Sequence, residues 1–247
     1  MRNKNFITGT QKGNQKIKID DFFTIIILGE NHGYRMKSYG PLPLIKIHNK
    51  TLIERQINAI KDTFINFEII LCTGYDSVKT INFIREKFSN INIRAVENQI
   101  HYNSNCCESA RLCLNNTKND NIIILGGGVL LLPSQLPRLN FSHSTVITQD
   151  QPDDSNFEVG VIQNNGNFEQ FSLGIKQEYW TEIIYLNGFP TVNKFSNIIS
   201  NMEYKNRFLF EAINELSKST QIKVQKNTAN PIVKINNIKA LKRMVKI

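Results

Sequence analysis

Residues Thr24 to Gln56, TIIILGENHGYRMKSYGPLPLIKIHNKTLIERQ, place an apolar run, a glycine-bearing basic loop and a helical segment in direct succession. Thr24–Leu28 has the length and apolar content of a buried strand. From Leu52 to Asp62, Ile53, Ile57 and Ile60 recur at i, i+4 and i+7, the spacing of one helix face. Phe67–Thr73 then reads as a second strand. A strand, a crossover helix and a strand predict a βαβ unit, and such units build parallel sheets covered by helices.

The alternation continues downstream. Val78–Phe88 reads as a helix, Ile91–Val96 as a strand, Cys107–Leu114 as a helix capped from the Ser104-Asn105 turn, and Ile122–Leu125 as a fourth strand. Glu158–Phe171, EVGVIQNNGNFEQF, alternates apolar and polar residues around Asn165-Gly166, a strong hairpin signal. Phe208–Leu216 reads as a helix and Ile222–Gln225 as a strand. The expected class is α/β: a three-layer, Rossmann-like, nucleotide-binding arrangement with a mostly parallel sheet and helices on both faces. At 247 residues a single domain suffices, read as a basic N-terminal arm over 1–22 and a domain over 23–247.

The formal charge of +9 favours phosphate-bearing partners, whether nucleotides, nucleic acid or anionic surfaces. Part of the surplus lies at the ends, in Arg2, Lys4, Lys12, Lys16 and Lys18 and in Lys234, Lys239, Lys242, Arg243 and Lys246. Few aromatic residues interleave these cations as base-stacking partners would, so they read as solvated tails and no nucleic-acid partner is assigned. Contact with a protein partner through the basic termini stays open. About one residue in eight is Asn, and the Asn-Lys-Ile bias fits an AT-rich genome, viral or microbial. Cys72, Cys106, Cys107 and Cys113 lack C-x-x-C spacing, and His32, His48, His101 and His143 lack ligand spacing, so no zinc is assigned. With neither a secretory leader nor a long apolar span in view, a reducing cytoplasmic setting is expected, host cytoplasm or virion if the source is viral.

Leu28, Gly33, Arg35, Met36, Pro41, Pro43, Leu44 and the helix start Leu52-Ile53-Glu54 match a pattern that runs L-A-A-G-x-G-x-R-M, P-K-P-L, L-I-E. On these residues the chain resembles the sugar-phosphate and choline-phosphate nucleotidyltransferases. The resemblance continues through Thr73-Gly74-Tyr75, Glu97-Asn98, Tyr102, Ser104-Asn105 and Ser109, and Lys234-Ile235-Asn236-Asn237 with Leu241 resembles the family's D-I-D-T-x-x-D-L ending. It implies a GT-A-type nucleotidyltransferase fold and a hairpin over the sugar-phosphate pocket. The implied reaction moves a nucleotidyl group from an NTP to a phosphorylated acceptor with Mg²⁺.

Such a reaction brings an acceptor phosphate against the NTP α-phosphate, so cations and a carboxylate-held Mg²⁺ must neutralise the growing charge. The glycine loop and the resemblance together nominate Gly29 and Gly33 as backbone donors to a nucleotide, Arg35 as the phosphate cation and Lys37 as a substitute lysine. Glu97, Asn98 and Asn105 fall where relatives contact base or acceptor. Plainer readings stand beside these: a structural turn for the glycine loop, a solvated side chain for Lys37, turn capping for the asparagines. Lys46 reads as solvent-facing, and Glu30 adds a negative charge beside the expected phosphate path.

The chain departs from the pattern where the chemistry needs charge. Leu42 replaces the family's catalytic lysine, Gly128 in Leu125-Gly126-Gly127-Gly128-Val129 replaces its metal-binding aspartate, and Lys234 and Asn236 replace acidic residues of the ending. An isobutyl group has no donor, and a glycine has no side-chain oxygen, so no metal ligand is assigned. The glycine run either brings backbone close to a ligand or makes a turn, the turn being preferred. Asp150, Asp153 and Asp154 read as a solvated turn. Trp180 with Tyr179 and Tyr185 suggests an aromatic acceptor pocket, with packing under a surface loop as the plainer account. The expectation is a nucleotidyltransferase-like protein with catalysis lost or strongly reduced, retained for binding, scaffolding or a structural role. The alternative is an active NTP-dependent enzyme using Mg²⁺ and a sugar-phosphate or phosphocholine-like acceptor, and a third reading is an interaction protein without nucleotide.

Overall fold

Strand β1 (Phe23–Leu28) shows why an unbroken apolar run is needed here: it is covered on both sides. Phe23, Ile25 and Ile27 join one core and Ile26 the other, the two-residue alternation of a pleated strand. In the computed structural model, which describes residues 21–132, 135–136, 139–150, 157–228 and 230–246, β1 is an inner strand of a nine-stranded sheet. After it come β2 (Lys46–Ile47), β3 (Lys50–Thr51), α1 (Leu52–Thr63), β4 (Phe67–Thr73), α2 (Ser77–Lys87), β5 (Ile93–Glu97) and α3 (Cys106–Leu114). The chain continues through β6 (Asn121–Gly126), β7 (Val129–Leu130), β8 (Thr145–Gln149), β9 (Val159–Asn164), β10 (Asn167–Leu173) and β11 (Tyr179–Asn187). It ends with α4 (Phe189–Ser200), α5 (Leu209–Ser217), β12 (Lys223–Lys226), β13 (Val233–Lys234) and α6 (Ile238–Lys246).

The main sheet runs β5-β4-β1-β6-β11-β8-β12-β10-β9. Its first four strands are all parallel, the product of the predicted βαβ units. From β11 onward most pairings are antiparallel, so the sheet as a whole is mixed and the parallel part fills only one half. The hairpin β9–β10 turns at Asn165 (φ 49°) and Gly166 (φ 76°), the left-handed pair that an Asn-Gly turn supplies.

Helices α1 and α2 cover one face, where Ile53, Ile57, Ile60 and Ile84 meet Ile25 and Ile27. Helices α3, α4 and α5 cover the other, where Cys107, Phe195, Ile199 and Ile213 meet Ile26 and Ile70. Each such aliphatic side chain contributes about 1.5–3 kcal/mol on full burial, so the two faces together hold the sheet between its helices. A capping box starts α1: the Glu54 amide donates to Thr51 Oγ1 at 3.3 Å and the Thr51 amide to Glu54 Oε2 at 2.7 Å.

A third, smaller cluster joins Met36, Leu42 and Ile47 to Ile235, Ala240 and Leu241. It docks α6, so of the C-terminal basic residues expected on a loose tail, Lys234 sits on β13 and the others on a packed helix that exposes Lys239 and Lys242. The N-terminal basic residues, Arg2 to Lys18, lie outside the described residues, as do Asp153 and Asp154, while Asp150 pairs with Lys226 at 2.8 Å. All four cysteines are free thiols, and no described helix is long and apolar enough to cross a membrane.

Candidate functional site

Parallel strands β1, β4 and β6 end at a common edge, and a crevice outside the carboxyl ends of such strands is where an α/β sheet offers a site. The chain leaves β1 at Gly29, whose amide donates to the Cys72 carbonyl at 3.1 Å, and then Glu30 accepts from the Tyr75 amide at 2.8 Å. Beside it β6 ends in Gly126-Gly127-Gly128, held from below by the Gln56 side-chain amide, which donates to the Gly126 and Val129 carbonyls at 3.0 and 2.8 Å. These glycines make a turn and also permit close backbone approach. A Cβ on Gly127 would lie 2.8 Å from the Gly29 Cα, and one on Gly128 would lie 2.7 Å from the Ile235 carbonyl oxygen.

Strand β13 closes this edge. It pairs antiparallel with β7, setting Lys234 opposite Val129, and the Ile235 amide donates to the Gly128 carbonyl at 2.8 Å. Two residues past Lys234, the Tyr34 amide donates to the Asn236 carbonyl at 2.7 Å, tying the first loop to the segment that follows β13. Leu42 reaches the same point, with Cδ2 at 3.3 Å from where a Gly128 Cβ would stand. Leu42, Gly128 and Ile235 therefore meet in one place, as an apolar contact.

Next to this contact opens a cavity of about 500 Å³. Phe157, Trp180 and Phe208 form much of its apolar wall, and Val159 and Leu173 bring in the edge of the β9–β10 hairpin. Its charged groups are Glu30, Glu158, Glu182 and Lys234. Glu182 stands at φ 59°, a left-handed conformation costly for a side-chain-bearing residue, where the β11–β8 ladder is irregular between Trp180 and Ile184. A Cβ on Gly126 would collide with its carboxylate, so the glycine leaves the room that Glu182 fills. Lys234 Nζ lies 2.5 Å from Glu182 Oε1. Burial works against the Lys234 charge, but the Glu182 carboxylate outweighs it and holds the ammonium pKa above the ordinary lysine value.

Glu30 has the opposite balance: burial pushes its carboxyl above the usual range, a backbone hydrogen bond and then Ser109 offset this in part, and Glu182 adds to the rise. Its Oε2 is buried and has no hydrogen-bond partner among the described residues. Cys106, also on the wall, is an unreactive thiol, its pKa pushed well up by burial while its Sγ accepts from the Leu209 amide at 3.1 Å.

Of the residues nominated from the sequence, Gly33 (φ 75°) and Asn105 line this cavity. Asn105 also caps α3 by accepting from the Cys106 amide at 2.8 Å. Gly29 lies just behind the wall under Pro43. Arg35 is exposed, its guanidinium 5.1 Å from the Tyr34 ring centroid, and Lys37 is exposed in a single turn over Lys37–Tyr39. Glu97 accepts from Ser77 Oγ at 2.7 Å, and buried Asn98 donates to Ser104 and Ser109 at 3.0 Å each, so both hold turns beside the cavity. Of the aromatic trio, Trp180 lines the cavity, whereas Tyr179 and Tyr185 pack into the opposite core, where the Tyr185 hydroxyl donates to Asn121 at 2.8 Å. Sequence reasoning missed Glu182, whose one signal was a lone carboxylate inside the apolar strand YWTEIIYL.

A divalent cation of the Mg²⁺ kind needs several oxygen ligands, mainly carboxylates and water. Gly128 and Asn236 supply no carboxylate, Lys234 brings an ammonium to the remaining position, and no three of His, Cys, Asp and Glu gather as a metal site among the described residues. The residues present do not fit the metal that the resemblance implies.

No family model and no curated protein matches the sequence. Solved structures do. A CTP:phosphocholine cytidylyltransferase from Streptococcus pneumoniae superposes with a TM-score of 0.76 at 18% identity, over 91% of this chain and 98% of that one. A putative glucose-1-phosphate thymidylyltransferase from Bacillus anthracis gives 0.72 at 14% identity, over 91% and 94%. The inositol-1-phosphate CTP transferase from T. maritima gives 0.70 at 14% identity, over 90% and 95%. Coverage this complete, on a sheet and helix order built as described, gives the chain the nucleotidyltransferase-like α/β fold.

Proposed function

We propose that this protein uses the cavity at the end of β1 and β6 to bind a nucleotide or a phosphorylated small molecule, and that it has lost most or all nucleotidyl transfer. The observation that carries this reading is the contact among Leu42, Gly128 and Ile235, where an apolar side chain and a bare backbone stand at positions that would hold a lysine and a metal-binding acid. Transfer needs preorganised positive charge at the reacting phosphates, and loss of one such contact alone costs orders of magnitude in rate. Binding has no such requirement, and the cavity remains open and walled by Trp180 and the β9–β10 hairpin. The substrates named for the structural neighbours, phosphocholine, inositol-1-phosphate and glucose-1-phosphate, define the ligand class to try first. Four free thiols fit a reducing compartment such as the cytoplasm.

The test pairs two measurements on the full chain. Melting temperature is followed with each NTP and with phosphocholine or glucose-1-phosphate, with and without Mg²⁺, and pyrophosphate release is followed in the same mixtures. A ligand at a hundred times its Kd stabilises the fold by about 2.7 kcal/mol, a rise of about 5–11 °C for a chain of this size. The expected result is such a rise without pyrophosphate release. Robust Mg²⁺-dependent release would establish the active enzyme instead, and no rise with any ligand would leave the fold as a scaffold.

A further inference from the structure

We infer that the Lys234–Glu182 pair is a built-in replacement for a divalent cation: the Lys234 ammonium is the charge that meets the phosphate of the ligand, and binding there needs no metal. This rests on the reading of the cavity as a site for a phosphorylated ligand. Lys234 is the only lysine or arginine on the cavity wall among the described residues. The carboxyls there are Glu30, Glu158 and Glu182, and burial favours the neutral form of Glu30. Without Lys234 the wall would repel a phosphate.

Three independent features hold the ammonium in place. Strand pairing opposite Val129 fixes the Lys234 backbone. Glu182 takes a left-handed backbone conformation that sets its carboxylate against Lys234, and such strain persists where the surrounding structure imposes it. Gly126 clears the space that this carboxylate occupies. A divalent ion bound by Glu182 would need a carboxylate oxygen about 2.1 Å away, and the ammonium holds that ground at 2.5 Å. A tethered ammonium carries a single charge and is present at every metal concentration, so the phosphate contact it makes is insensitive to chelation.

Two measurements test this. The first uses the metal alone: Mn²⁺ is titrated into unliganded protein and the free ion is counted by electron paramagnetic resonance. Wild type is expected to leave Mn²⁺ free, whereas Lys234→Glu, which turns the ammonium into a further carboxylate beside Glu182, is expected to bind it. The second uses calorimetry with phosphocholine and glucose-1-phosphate in excess EDTA or millimolar Mg²⁺. Wild-type affinity is expected to match in the two buffers, and Lys234→Met is expected to weaken it about tenfold or more, the loss of one charge-assisted hydrogen bond. Lys234→Met keeps most of the aliphatic stem, and an unchanged circular dichroism spectrum shows that it folds. Mn²⁺ binding to wild type that Glu182→Gln abolishes would overturn the inference, as would phosphate binding that needs Mg²⁺ or ignores Lys234→Met. If neither phosphate ester binds wild type in either buffer, the ligand reading falls and the phosphate role of Lys234 with it, while the Mn²⁺ titration still decides whether Lys234 holds the place of the cation.

Discussion

Placing a methyl group on Gly128 probes the contact on which the loss of transfer is argued. The Cβ of Gly128→Ala would fall 2.7 Å from the Ile235 carbonyl oxygen and 3.3 Å from Leu42 Cδ2. Leu42 can yield by rotation, but Ile235 is backbone, and its own amide is bonded to the Gly128 carbonyl at 2.8 Å. Relief therefore has to stretch the β7–β13 pairing. Overpacking of this kind costs about 1–3 kcal/mol, and removing a glycine from the unfolded chain returns about 0.4–1 kcal/mol. The net loss of about 1–2 kcal/mol lowers the melting temperature by about 2–8 °C in a chain of this length. Thermal melts of wild type, Gly128→Ala and the double variant with Leu42→Ala measure it. The double variant should show no recovery, because the obstruction is the carbonyl and not the leucine. A melting temperature equal to or above wild type in Gly128→Ala would refute the argument that this position is packed shut against a side chain.

Three further outcomes follow from other parts of the structure. Glu182→Gly and Glu182→Ala both delete the ion pair with Lys234, but only glycine relieves φ 59°, so the glycine variant should be the more stable by about 1 kcal/mol in chemical denaturation; equal stabilities would remove the case for strain. Burial lets the folded chain keep the Glu30 proton above the pH near 4.5 at which an ordinary carboxyl releases it, so this group costs stability as pH rises through that window. Glu30→Gln should therefore melt higher than wild type at neutral pH, with the gap closing as pH falls toward 4.5, and melting curves that stay parallel across pH would contradict it. Thr51→Ala removes the side-chain half of the α1 capping box and should lower stability by about 1 kcal/mol, or about 2–4 °C by calorimetry, with no change in ligand affinity.

The parallel half of the sheet could be read from the chain because its signals are local. The run Thr24–Leu28 is too short and too apolar for anything but a buried strand, and Ile53, Ile57 and Ile60 mark one face of a helix. In the antiparallel half the β9–β10 turn was marked by Asn165-Gly166 but the place of β11 was not, since which strand it joins is decided by the packing of Ile184 and Leu186 on a core assembled from distant segments. Site residues divided in the same way. Gly33 and Asn105 lie next to a turn and a helix start, features that spacing reveals, and they line the cavity. Arg35 and Lys37 have the right charge in the right loop but face solvent, because direction within a loop depends on tertiary contacts. The charge on Lys234 was visible as an obstacle to metal, and its pairing with Glu182, across strands distant in sequence, was not.

That pairing bears on the proposed loss of transfer and on whether a single change could reverse it. Leu42, Gly128 and Lys234 belong to three motifs far apart in the chain, yet the first two share a contact with Ile235, and Lys234 is its neighbour in sequence. Lysine at position 42 would bring an ammonium among the apolar side chains of Met36, Ile45 and Ile235, and its burial is disfavoured unless it reaches a carboxylate of the cavity wall. Aspartate at position 128 would meet the Ile235 carbonyl before it met any metal. Glutamate at position 234 would leave Glu182 without its partner and gather acids without the lysine that offsets them. Each reversal is unfavourable unless the others accompany it, since sites in direct contact do not act additively. On the proposed reading the three departures behave as one packed unit, and the cavity beside them holds its ligand with the charge of Lys234.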